Sequence, residues 1–138
     1  MKYLLDTNIL SEPLKEHPDH RVMKRLEEMQ KALATASPVW HELHYGYSRL
    51  PHSKKRNALG KYLESVVHPN IPILDYDETA AEWHARQRAL LTKKGRAPSF
   101  VDGQIAAIAV VNDLILVTRN TGDFAVFEEL TVESWHSK

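Results

Sequence analysis

The chain contains no cysteine, which removes disulfide staples, thiolate metal sites and cysteine nucleophiles together. Any catalysis must use other groups, and the absence fits a reducing compartment. Long apolar runs are missing as well. The longest, Ile105 to Val111, is far too short to span a bilayer, and Asp6 interrupts Tyr3-Leu4-Leu5 before it can form the apolar part of a signal peptide. A cytoplasmic protein with no membrane contact is therefore expected. Net charge is absent too: 18 basic and 18 acidic residues cancel, so the whole molecule exerts no strong field on a distant polyanion. No repeat, low-complexity stretch or linker divides the sequence. A chain of 138 residues, 43% hydrophobic and 26% charged, suits a single domain, residues 1–138, around one core.

What charge there is falls unevenly. Arg86, Arg88, Lys93, Lys94 and Arg96 share a segment without an acid, whereas Asp123 to Glu133 carries no base. Taken alone, a basic run of this kind is ordinarily a solvated helix face; the alternative is a surface that holds phosphates. Lys54, Lys55 and Arg56 beside His52 form a second such group and leave the same choice.

Apolar spacing predicts short strands alternating with helices. Tyr3-Leu4-Leu5, Leu33 to Ala36, Ile71 to Leu74 and Leu114 to Val117 read as buried strands, with Leu130 to Val132 as an edge strand. Helices are expected over Asn8 to Lys15, Arg21 to Lys31, Trp40 to Leu50 after a Ser37 cap and Pro38, and Lys54 to Val67. Asp77 should cap another helix that runs to about Thr92 and stops at Gly95, with Ala80, Ala81, Trp83, Ala85 and Leu90 facing the core. Ser99 should start a buried helix that Asn112-Asp113 breaks. This alternation implies an α/β fold with a mostly parallel sheet covered on both faces.

In such a sheet the working site lies beyond the carboxyl ends of the strands. Asp6 ends the first strand, Glu42 follows the second, Asp102 opens the buried helix, and Asp123 follows Val117-Thr118, so these acids are expected to converge on one edge. Singly, each has a plain role. Asp6 can cap the helix after it, Asp102 completes a capping box with Ser99, Glu42 can be an exposed helix residue, and Asp123 beside Gly122 can be a turn residue. Together, crowded carboxylates raise one another's pKa unless a cation neutralises them, and oxygen ligands suit a hard divalent ion such as Mg²⁺ or Mn²⁺. Such an ion acidifies water and orients a phosphodiester, which is hydrolytic phosphoryl chemistry. Thr7, Asn8, Thr118, Arg119, Asn120 and Thr121 flank the acids as orienting or turn-forming groups.

These pieces resemble a known family, the PIN-domain ribonucleases, and within it the VapC-type toxins of toxin–antitoxin pairs. The resemblance rests on Tyr3-Leu4-Leu5-Asp6-Thr7-Asn8, Ser37-Pro38 with Glu42-Leu43 and Tyr45-Gly46, Asp102 leading Gln104-Ile105-Ala106, and Val117-Thr118-Arg119-Asn120 before Asp123-Phe124. It implies a three-layer α/β/α sandwich with a central mostly parallel sheet and Mg²⁺ or Mn²⁺ as cofactor. Asp6, Glu42 and Asp102 match the family's core acids and are implied metal ligands. Asp123 matches its least constant acid, and Thr118 and Asn120 match the supporting polar pair. It further implies endonucleolytic cleavage of transfer or ribosomal RNA that stops translation, a homodimer, and inhibition by a cognate antitoxin through which promoter DNA is reached only indirectly. Arg86, Arg88, Lys93, Lys94 and Arg96 are then the candidates for gripping RNA.

Other chemistries fit less well. His41-Glu42 suggests a zinc hydrolase, but that motif needs its second histidine at position 45, which is Tyr45, and His44 comes one residue early. An aspartate-nucleophile phosphatase needs an acid two residues after Asp6, where Asn8 stands. A metal-binding accessory protein that works only with a DNA-binding antitoxin, without nuclease activity, is the non-enzymatic alternative.

Overall fold

Tyr3, Leu4 and Leu5 are 3, 0 and 0% exposed, although successive strand residues point to opposite faces of a sheet. Both faces around them must therefore be covered. The computed structural model, which describes residues 1–136, meets that demand with a parallel sheet between helices. Its strands are β1 (Tyr3–Leu5), β2 (Leu33–Ala36), β3 (Ile73–Leu74), β4 (Ile115–Val117) and β5 (Val132–Glu133), ordered β3-β2-β1-β4-β5. All pairings are parallel, and Leu5 lies opposite both Thr35 and Val117. Parallel neighbours need crossover connections. The helices are α1 (Thr7–Leu10), α2 (His20–Glu28), α3 (Ser37–Arg49), α4 (Lys54–Tyr62), α5 (His68–Asn70), α6 (Glu78–Lys93) and α7 (Phe100–Val111). The arrangement is the expected α/β/α sandwich. Within the described residues no helix is long and apolar enough to cross a membrane.

Caps and stops fall largely where side-chain chemistry puts them. Asp77 accepts from Ala80 N at 2.9 Å and Ser99 Oγ from Asp102 N at 3.1 Å, starting α6 and α7. Gly95 (φ 69°) follows α6, and Asp113 (φ 56°) follows α7, both in the left-handed region that stops a helix. Ile105 to Ala109 of α7 are fully buried, as their apolar run demands.

Four expectations need correction. Ser37 is not a cap: β2 runs straight into α3, so Ala36 takes the cap position and Ser37 is the first helical residue. The helix expected over Asn8 to Lys15 ends at Leu10, and a 3₁₀ turn, Glu12–Leu14, replaces it because Pro13 has no N–H with which to continue the ladder. The helix expected over Lys54 to Val67 passes at Leu63 into a π-helical turn, whose extra residue rotates the face that meets the core. Leu63 and Val67 are consequently buried while Val66 is exposed. On α6, Ala85 and Leu90 face solvent, and His84 and Leu91 take the inward positions.

With every strand parallel, all carboxyl ends share one edge of the sheet. From β1 the chain moves to β2 on one side, whereas β4 fills the other, so the strand order reverses between β1 and β4. That switch point opens a crevice at the carboxyl edge. The helix α7 enters β4 through a tight turn, so its amino end stands at the same edge.

Candidate active site

Asp6 is where β1 stops. Its N–H donates to Val117 O at 3.0 Å, and its carbonyl accepts from Ile9 and Leu10 N at 3.1 and 3.2 Å as the cap of α1. The carboxylate is fixed at both oxygens: Oδ1 accepts from Thr7 N and Oδ2 from the Thr118 hydroxyl, each at 2.8 Å. Thr118, wholly buried at the end of β4, also accepts from Asn120 N at 3.1 Å and Asn8 Nδ2 at 3.4 Å, and Asn8 Oδ1 accepts from Arg119 N at 3.1 Å. The polar residues flanking the acids thus join the ends of β1 and β4 across the switch point.

Asp102 sits in the first turn of α7, and Asp123 in the 3₁₀ turn Thr121–Phe124 that buried Phe124 anchors. Burial pushes the Asp6 carboxyl up; the hydrogen bonds from Thr118 and Thr7 oppose this, and the charge of Asp123 adds to it. The Asp102 carboxyl is likewise raised, first by burial, with Ser99 opposing and the charges of Asp6 and Asp123 reinforcing. Three aspartates therefore repel one another at the crevice. Glu42 is exposed on α3, in a pocket of about 260 Å³ lined also by Tyr76, Val101 and Gln104, the last two from the turn that carries Asp102. The structure thus brings Asp6, Asp102 and Asp123 into one another's field and sets Glu42 in a pocket whose wall comes from the turn of Asp102.

The donor set fits a hard divalent cation. No ion pair among the described residues engages Asp6, Glu42, Asp102 or Asp123, so the repulsion has no protein counter-charge, and the side chains offer oxygen alone. Among the described residues, no trio of carboxylate or imidazole groups is already drawn to coordination spacing. His41 lines the same pocket as Glu42, its ring 6.3 Å from that of Tyr45, whereas the His44 ring packs on Trp40 at 4.4 Å.

Arg86, Lys93, Lys94 and Arg96 are exposed. Arg88 holds its guanidinium 5.3 Å from the centre of the Phe100 ring, and Arg56 lies 4.3 Å over Tyr47. Because His84 faces Gly103 while Arg88 faces Phe100, α6 and α7 run antiparallel, which puts Lys93, Lys94 and Arg96 beyond the end of α7 that carries Asp102. The sequence reading gave no place to His84. Its ring rests on Gly103, where any Cβ would overlap it, and its Nδ1 is 2.7 Å from the Tyr76 hydroxyl. The available signal was Gly103 itself, since glycine inside a helix costs about 1 kcal/mol relative to alanine and so calls for a packing reason.

Known proteins repeat this architecture. Residues 3–130 match the PIN domain model. Toxin FitB of Neisseria gonorrhoeae is 35% identical over 96% of this chain and 98% of its own, and the tRNA(fMet)-specific endonuclease VapC of Shigella flexneri is 33% identical over 98% of each. Among solved structures, FitAB bound to an IR36 DNA fragment superposes with a TM-score of 0.88 at 31% identity, covering 99% of this chain and 97% of that one. VapBC2 from Rickettsia felis, bound to a promoter DNA fragment, gives 0.83 at 30%, covering 98% and 99%. The chain belongs to the PIN domain family, in the branch that holds the VapC-type toxins.

Proposed function

We propose that this protein is the toxin of a toxin–antitoxin pair, a Mg²⁺- or Mn²⁺-dependent endoribonuclease that cuts structured RNA, of the transfer or ribosomal class, and thereby inhibits translation. The observation that carries the reading is the gathering of Asp6, Asp102 and Asp123 at the switch point, where their charges act against one another and no ion pair among the described residues engages them. Relatives named as VapC ribonucleases and tRNA-specific endonucleases support the chemistry and weigh against the accessory-protein alternative.

Asp6, Glu42 and Asp102 would hold the ion, with Asp123 helping to hold it or a second one. When bound, the ion supplies Lewis acidity toward the phosphodiester and lowers the pKa of water. Thr118, Thr7 N and Asn8 keep the Asp6 carboxylate in one orientation, and Asn120 braces Thr118. Arg86, Arg88, Lys93, Lys94 and Arg96 would grip the RNA backbone. Water as nucleophile leaves a 5′-phosphate and a 3′-hydroxyl.

The solved relatives include FitAB and VapBC complexes bound to DNA, which supports a cognate antitoxin as partner and promoter contact through it. A groove of about 1060 Å³ beside α2 and α4, with Leu10, Met23, Leu26, Tyr62 and Ile71 in its lining, offers apolar area for that partner, away from the acids. A homodimer in the cytoplasm completes the reading.

The test is to incubate partner-free protein with total RNA in Mg²⁺, Mn²⁺ or EDTA beside Asp6→Asn and to map the new ends. Discrete cuts that need both metal and Asp6, with 5′-phosphates, are expected. A 2′,3′-cyclic phosphate, or cleavage that persists in EDTA, would refute the mechanism.

A further inference from the structure

Phe100 opens α7, two residues ahead of the site acid Asp102. The core does not absorb it. Its exposure is 49%, and that of Val101 is 39%, where hydrophobic burial would ordinarily claim both. Yet the ring is not free to move. It packs on His84 at 4.8 Å and Tyr76 at 6.5 Å, and the Arg88 guanidinium lies 5.3 Å from its centre. The support is itself locked, because His84 is held between the Tyr76 hydroxyl and the Gly103 backbone. A half-exposed ring has thus already given up its rotational freedom in the free protein, a loss that otherwise falls on binding.

We infer that Phe100, with Arg88, is a stacking platform for an unpaired base of the RNA next to the phosphate that is cut. The inference rests on the ribonuclease reading above. Unstacked bases are recognised by aromatic faces and guanidinium planes, and here both occur together at the acid-bearing end of α7. The surrounding charge suits a polyanion, since no acid occurs from Arg86 to Arg96 and Lys93, Lys94 and Arg96 lie exposed beyond the same end. Two exposed apolar side chains are also far too little area for a protein–protein interface, which typically takes about 800 Å² from each partner.

Binding is measured by fluorescence anisotropy with labelled bulk tRNA and Mg²⁺, using full-length protein that carries Asp6→Asn to prevent cutting. Phe100→Ala is expected to weaken affinity about 5- to 100-fold, the range for loss of one stacked base, and Phe100→Trp to restore it. A single-stranded oligoribonucleotide containing 2-aminopurine should be quenched by the Phe100 and Trp forms and not by the Ala form. In the active protein, Phe100→Ala should raise KM more than it lowers kcat. Affinity within twofold of the parent overturns the platform. So does a fall in sedimentation mass in Phe100→Ala with unaltered RNA affinity, which would make the ring a contact between copies of this chain. If the parent protein cuts no RNA but tRNA affinity still depends on Phe100, the platform stands and the nuclease reading falls; cleavage that is indifferent to Phe100 gives the reverse.

Discussion

Asp6 and Glu12 lie on one short segment, both are buried, and their surroundings are opposite. Burial works against ionisation of Glu12, but it is outweighed: Oε1 lies 2.7 Å from His136 Nε2 and 3.1 Å from Lys15 Nζ, and Oε2 accepts from Asp19 N at 3.1 Å. Its carboxyl is accordingly held below the usual range. At Asp6 burial prevails over the two hydrogen bonds, and the charge of Asp123, another carboxylate, adds to it. The fold therefore satisfies one buried acid with its own donors, the Lys15 ammonium among them, and leaves the other short of positive charge. The first acid ties the C-terminal segment to the turn after α1. The second is poised to take a cation from solution.

The sharpest way to break that contrast is Asp6→Asn. Loss of a metal-holding carboxylate is expected to reduce RNA cleavage by about 1000-fold or more, while the fold is retained because one source of repulsion disappears. Thermal melts with and without Mg²⁺ check the cause. The wild-type melting temperature should rise with Mg²⁺, by linkage to binding, and that of Asp6→Asn should rise less. An equal rise in both would mean that Asp6 does not hold the ion.

Glu12 should behave the other way round. Glu12→Ala removes the buried carboxylate that His136, Lys15 and the Asp19 N–H all face, at a cost of about 2 to 4 kcal/mol in stability, read as a lower denaturant midpoint. The activity of the remaining folded protein should persist. The sign with pH follows from the lowered carboxyl: the unfolded chain binds its proton more readily, so the stabilisation is present above the unfolded value and is lost as pH falls through the folded one. Acid unfolding of Glu12→Ala should consequently be shallower than that of the wild type. A parallel curve would remove Glu12 from the stability of the fold.

The contrast also explains what could be read from the sequence. Asp6 was legible because a carboxylate that ends the run Tyr3-Leu4-Leu5 needs a partner, and the Ser99–Asp102 capping pattern has its local hydrogen bond. Glu12 was not. Nothing singles it out within the helix expected over Asn8 to Lys15, and its partner His136 is 124 positions away, a separation that no local period reveals. Glu42 shows the converse limit: helix spacing placed it correctly on α3, but whether its charge meets the aspartates depends on how α3 leans on the sheet. The α6 stripe was misjudged because small alanines fit either face, so only packing against α7 decides that His84 turns in and Ala85 out.

Asp102 is placed differently from Asp6, by packing rather than by strand ends, and Gly103→Ala sharpens that difference. The new methyl overlaps the His84 ring, and overpacking of this kind costs about 1 to 3 kcal/mol. Because the strain falls on the turn that carries Asp102, cleavage should fall as well. Adding His84→Ala should recover stability by opening space, giving a favourable coupling in a double-mutant cycle. Additive effects would show that the contact does not set the position of α7.

The smallest effect concerns the bases. If the site acids lack a counter-charge because the chain keeps its cations for the RNA, then Arg86, Lys93, Lys94 and Arg96 should matter to binding and not to the fold. Each alanine replacement should change stability by no more than about 0.5 kcal/mol, as exposed positions do. Every contact these residues make with a phosphate releases a counterion on binding. The slope of log affinity against log salt should therefore become shallower by about 0.7 to 0.9 for each contact removed. Measured with bulk tRNA across a salt series, a slope that is unchanged after all of these bases are replaced would return them to the role of a solvated face. The uneven charge along the sequence would then have no bearing on the RNA, whereas the repulsion among Asp6, Asp102 and Asp123 would stand as before.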